Sequence, residues 1–495
     1  MRTFFFMAAM IFVAACSDKK TDDYVPPGSD GFESKSIVTV DPSLQSGMVL
    51  QQNAEFKITG KGTPGEPVRV TCSWENGKVH DIIADANGRW SAAIQTPGAT
   101  FTPQRISVQG ASYHPFTDIL VGEVWMCSGQ SNMEMSLSQA FDGEKEVANS
   151  THSGIRLLKM PHSKASVPTD NFTATWKPCT PENTATFSAI GYYCACKIQS
   201  ELNVPVGIIS AAIGGTAIEI WMPKESVEND PELKADAELR SSLGGSVPRL
   251  PGEAYNIMIY PLRNLPIAGV VWNHGTANQD NPNIYMKFLR TLVAEWRKDH
   301  NSQFAFYISQ ICPYKRDKDF ATFYSNPLLR FNQTLMSEEL INSGVAVNDD
   351  VANINDIHPI WKREVGERLA FLALGQHYGK SNYVTMRSPI YDSHRIEGEK
   401  LIVNFKYAPD GLKTNNGQAP TEFEICGADK VFYPATAVIE GSTVELTSPQ
   451  VPAPIAARMG WSFKKVTNLR AANGLPVSVF RTYDWADTSE EPNSR

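Results

Sequence analysis

The sequence predicts an α/β chain: a parallel sheet covered by helices, with β-sandwich-like segments before and after it. Three observations carry this. Between about residues 118 and 387, strand-length apolar runs alternate with apolar stripes at helical spacing. Before that stretch, from Ile37 to Thr117, short alternating runs are separated by turn residues, and from about Pro389 strand-like runs return.

The first residues read as an address. Arg2 precedes the apolar run Phe4 to Ala15, which is too short to span a bilayer as a helix. The run ends in Val13-Ala14-Ala15-Cys16 and resembles a bacterial lipoprotein signal, which implies lipidation of Cys16 and export to the cell envelope, with the leaflet left open. Residues 17–36, polar and containing Pro26 and Pro27, are expected to be a flexible tether.

The next elements follow from alternation and turns. Residues 37–117 are expected to form a β-sandwich domain, with Phe56-Lys57-Ile58-Thr59 and Val68-Arg69-Val70-Thr71 as strands around Gly60, Gly62, Pro64 and Gly65. Residues 118–387 open with the strand Ile119 to Met126. Phe187, Gly191, Cys194, Ile198 and Leu202 then mark a helical stripe, followed by the strand Val206 to Ala212. Tyr285, Leu289, Leu292 and Trp296 mark a second stripe before the strand Phe304 to Ser309, and Trp361, Val365, Leu369 and Leu372 mark a third. Residues 388–495 are expected to be β-rich, with Leu401 to Phe405 and Thr443 to Leu446 among the strands.

Composition sets outer limits. The chain has 495 residues, enough for about three domains at roughly 150 residues each. Forty-five basic against 53 acidic residues leave a net charge of −8, which argues against nucleic acid as a partner. The eight cysteines include no C-x-x-C pair, and no Cys/His spacing suggests zinc, so neither a metal nor a cofactor is expected. Cys194 and Cys196, two apart on a helix, point to different faces, and most of the cysteines are expected to be small core residues.

Chemistry in an open α/β sheet collects at the carboxyl ends of strands. Four segments fall there. Met126-Cys127-Ser128-Gly129-Gln130-Ser131-Asn132-Met133 follows a strand and presents Ser131 on a turn, although a serine there is also an ordinary turn former. Gly214 and Gly215 follow the strand ending at Ala212, and their N–H groups can hold an oxyanion or simply close a tight turn. Trp272-Asn273-His274-Gly275-Thr276-Ala277-Asn278 supplies an imidazole and an amide. Asp356 and His358, just before a helix, supply a carboxylate and a base, or alternatively a helix cap with Pro359.

Together, their order resembles the SGNH-type hydrolases and, within them, the sialate O-acetylesterase family. The likeness runs from SGMVLQQ through DANGRW, VGEVWMCSGQSNM, GGTAIEIW, YNIMIYPL and DIHPIWKREVGERLA to NLRAANGLPVSVFRT, nearly the whole mature chain. The resemblance implies an SGNH-hydrolase-like sheet and a carbohydrate acetylesterase working on O-acetylated sialic acids. It implies Ser131 as nucleophile, His358 as base and Asp356 as its partner. It implies an oxyanion hole from the Ser131 N–H, a Gly214 or Gly215 N–H and the Asn278 side chain. Where that family writes W-Y-Q-G-E-S-N, this chain has W-N-H-G-T-A-N. His274 and Thr276, at substituted positions, are expected to line the substrate pocket, as is Gln130 beside Ser131. Two alternatives stand beside this: an esterase of acetylated xylan or another polysaccharide, and a surface lipoprotein that only binds glycans.

Overall fold

A single strand, Tyr113–Gly129, runs through two parts of the molecule. In its second half successive side chains alternate between two cores: Val124 and Met126 enter one, Trp125 and Cys127 the other. The computed structural model describes residues 31–242, 247–314, 325–462 and 465–487. The expected signal, Cys16 and most of the tether lie outside the described residues.

Around that strand the central sheet is ordered Lys177–Cys179, His152–Lys159, Val206–Ala212, Tyr113–Gly129, Gly269–Asn273, Ala305–Ser309, Ser343–Ala346. All neighbours are parallel except the antiparallel edge strand Lys177–Cys179. The interior strands Val206–Ala212 and Gly269–Asn273 are buried at every position, as expected of strands covered on both faces. Helices Ala189–Leu202 and Lys362–Leu372 cover the face of Trp125 and Cys127, while Pro282–Asp299 and Ser325–Glu339 cover the other.

The expected stripes are the buried faces of these helices except at their ends: Phe187 precedes the first helix and Leu202 is half-buried. Val365, Leu369 and Leu372 are buried, but Trp361 is 40% exposed. The helix starts only at Lys362, so Trp361 lies outside its period.

The N-terminal β unit is continuous with the central sheet. Strands Val49–Gln51 and Thr100–Gln109 pair directly with Tyr113–Gly129, so a boundary at 117/118 falls inside one strand. The C-terminal strands form separate small antiparallel sheets around Leu401, Val403, Val444 and Leu446. All seven cysteines from Cys72 to Cys426 are free thiols, five of them buried.

Candidate active site

The chain leaves the end of Tyr113–Gly129 toward one side of the sheet and returns on the other, as Gly269–Asn273. The carboxyl end of that strand is therefore a topological switch point, where open sheets leave a crevice. Ser131 sits there, half-buried, at the start of the short helix Ser131–Glu134. The turn is anchored from both sides: Gln130 N–H donates to Asn273 C=O at 3.1 Å, and Ile213 N–H donates to Gly129 C=O at 3.2 Å.

Across the crevice, Ser131 Oγ lies 2.8 Å from His358 Nε2. With the ring proton on Nδ1, the hydroxyl donates to Nε2, the arrangement a base needs to take that proton as oxygen attacks a carbonyl. The contact is braced by a side chain that the sequence reading did not single out. Asn132 Nδ2 donates to Ile357 C=O at 3.0 Å, and its Oδ1 accepts from Lys362 Nζ at 2.6 Å. Lys362 is 2% exposed, and burial pushes its pKa down to about 8.

Asp356 stands elsewhere than an imidazole partner should. Its Oδ1 accepts the backbone N–H of His358 at 2.8 Å, and among the described residues no acceptor is bonded to Nδ1 of that ring. An Asp two residues before its target can close an Asx turn on the backbone, and that is the bond formed here. Asp356 thus shapes the loop that carries His358.

Of the two glycines expected to offer an N–H, the structure engages one. Gly214 packs against Ser131, since a Cβ added there would lie 3.2 Å from Ser131 Cβ. Its N–H, however, donates to Glu134 Oε2 at 2.6 Å, and Glu134 Oε1 lies 2.7 Å from His162 Nε2. Gly214 is therefore already engaged. Among the described residues, the N–H groups of Ser131 and Gly215 have no hydrogen-bond partner. Glu134 could have been suspected from sequence, being one turn after Ser131; nothing local marks His162.

The third segment lies mostly beneath the crevice. Asn278 is 1% exposed; its Oδ1 accepts from Ile218 N–H at 3.0 Å and its Nδ2 donates to Glu219 Oε2 at 3.3 Å. His274, expected in the pocket, is fully buried between Trp272 and Tyr285 and donates from Nε2 to Thr216 C=O at 3.1 Å. Burial holds its pKa down at about 3, so it is a neutral structural ring. The β-strand aims it under the sheet, toward helix Pro282–Asp299. Gln130 is buried with its Oε1 unpartnered, and Thr276 is half-buried.

Glu219 beside Asn278 gives a pH prediction. Fully buried, with Oε1 unpartnered, its pKa is raised from 4.5 to about 7 by burial. As pH rises past 4.5 the unfolded chain releases this proton first. The stability linked to it is therefore full below 4.5 and lost as pH passes through 7, by about 3 kcal/mol. Glu219→Gln mimics the protonated form. Wild-type Tm measured from pH 5 to pH 8 should fall more than that of the variant; equal falls would remove Glu219 from the account.

An open parallel sheet with a hydroxyl–imidazole pair at its switch point is the arrangement of a serine-type ester hydrolase. The comparisons then narrow it. Residues 121–356 match the family described as carbohydrate esterase, sialic acid-specific acetylesterase. A solved carbohydrate acetylesterase from Xanthomonas citri superposes with a TM-score of 0.82 at 33% identity, over 91% of this chain and 100% of that one. Sialate O-acetylesterases of Mus musculus and Homo sapiens are each 27% identical, over 73% and 74% of this chain and 77% and 75% of theirs. The chain belongs to this carbohydrate esterase family and is an ester hydrolase.

Proposed function

We propose that the protein removes O-acetyl groups from sialic acids through a Ser131 acyl-enzyme. The observation that carries the mechanism is the 2.8 Å contact between Ser131 Oγ and His358 Nε2 at the switch point. The sialate relatives support the substrate. His358 takes the Ser131 proton while Oγ attacks the acetyl carbonyl, and the oxyanion is received by the Ser131 and Gly215 N–H groups. We place Asn278 as the side-chain support of that hole. The sugar alcohol leaves with the proton from His358, and water, deprotonated by the same ring, releases acetate.

A second reading, an esterase of acetylated polysaccharide such as xylan, is favoured by half-buried Thr276, which stands where the sialate family writes Glu, and by the 33% identity to the Xanthomonas citri carbohydrate acetylesterase. Acetate release from a chromogenic acetate ester, 9-O-acetylated sialoside and acetylated xylan separates them. Release from the sialoside is expected; release from xylan alone installs the second reading, and none from any substrate leaves a glycan binder. The lipoprotein-like start further supports export and anchoring through Cys16. Metabolic labelling with a fatty acid should mark the wild type and not Cys16→Ala.

A further inference from the structure

Two large aromatic rings stand in solvent beside the loop that carries His358. Phe141 is 45% exposed and Trp361 40%, with Ile360 at 41% beside them. The two rings stack on each other, centroids 3.9 Å apart and planes at 25°. The segment that follows Ser131 grips the His358 loop on both sides of the imidazole. Asn132 binds Ile357 C=O at 3.0 Å, and Phe141 N–H donates to Ile360 C=O at 2.9 Å. Trp361 follows His358 by three residues, so its Cα lies within about 10 Å of the histidine's.

This placement is not required by the core. The helical stripe would have buried Trp361, yet the helix begins one residue later and the ring is left outside. A contiguous apolar patch left open beside a reaction centre marks a binding surface. Aromatic faces suit sugar rings, whose C–H groups on one side pack against the π cloud while the hydroxyls stay in water.

We propose that Phe141 and Trp361 form a stacking platform for the sugar unit next to the one whose acetyl ester reaches Ser131. The inference rests on the acetyl-sugar reading of the site. Wild type, Trp361→Ala and Phe141→Ala are compared on 4-nitrophenyl acetate and on an acetylated trisaccharide, sialyl or xylo, whichever wild type hydrolyses. In each variant the ratio of kcat/KM for trisaccharide to that for the small ester should fall about tenfold, through KM. Equal loss on both esters would mean a disturbed His358 loop, and no loss would mean that the rings take no sugar; either result overturns the platform. Should wild type release acetate from neither trisaccharide, the acetyl-sugar reading fails, and the platform is judged by binding alone. Calorimetry of the unacetylated trisaccharides with Ser131→Ala protein should then show binding that Trp361→Ala removes. Binding that survives this change, or no binding at all, overturns it.

Discussion

Ser131→Ala is expected to lower acetate release by about 10⁴-fold or more, and His358→Ala by a similar factor. The double variant should be little worse than either, because hydroxyl and imidazole act as one unit across their 2.8 Å contact. Both side chains are only partly buried, so neither change should unfold the protein. The measurement is acetate release by purified variants, with melting curves as control. A Ser131→Ala enzyme within tenfold of wild type would end the serine mechanism, and strictly additive losses would separate the two residues. His358→Ala should be the more informative variant for the loop. If the Asx turn at Asp356 mainly sets the backbone, Asp356→Asn, which keeps the acceptor oxygen, should cost far less than His358→Ala.

Gly129→Ala is the second large effect, on the fold of the site itself. Gly129 has φ +137, and a Cβ there would lie 2.1 Å from Asn273 O, a backbone atom of the adjacent strand that cannot move aside cheaply. The same residue accepts the Ile213 N–H and precedes the Gln130 bond to Asn273, so displacing it loosens three strand ends at once. A loss of about 3–4 kcal/mol in urea unfolding is expected, together with loss of activity under conditions where the protein stays folded. Gly215→Ala is the contrast. It has φ +72 but nothing within 4 Å of an added Cβ, so about 1–2 kcal/mol for the left-handed backbone is its only steric cost. If both variants unfolded at the wild-type midpoint, backbone crowding at Gly129 would not be what holds the Ser131 turn.

Much of the fold is legible in the chain because it is written in short-range periodicity. Tyr285, Leu289, Leu292 and Trp296 lie on one face of a helix by spacing alone, and all are buried against the sheet. The errors arise where short-range pattern meets a boundary or a distant partner. Trp361 fits the stripe but precedes the helix by one residue, so its ring faces solvent. His274 sits at a strand end, as a pocket residue should, yet the pleat turns its side chain into the core beside Tyr285. Asp356 has the residue type and order of a triad carboxylate, but its Oδ1 is bonded to the His358 backbone N–H and not to the ring.

By itself, the sequence determined the class of fold, the strand-end position of Ser131, the glycine turn at Gly214 and Gly215, and the family to which the chain belongs. Each depends on residues near one another or on motifs kept in order. Only the tertiary structure decided which groups meet. Ser131 and His358, 227 residues apart, are paired beforehand only by the family resemblance, and nothing in the sequence announces that Lys362 braces Asn132 from 230 residues away. Glu134, one turn from Ser131, occupies the Gly214 N–H across 80 residues. Contacts of that separation depend on how the strands order themselves in the sheet, and local propensity carries no information about that order.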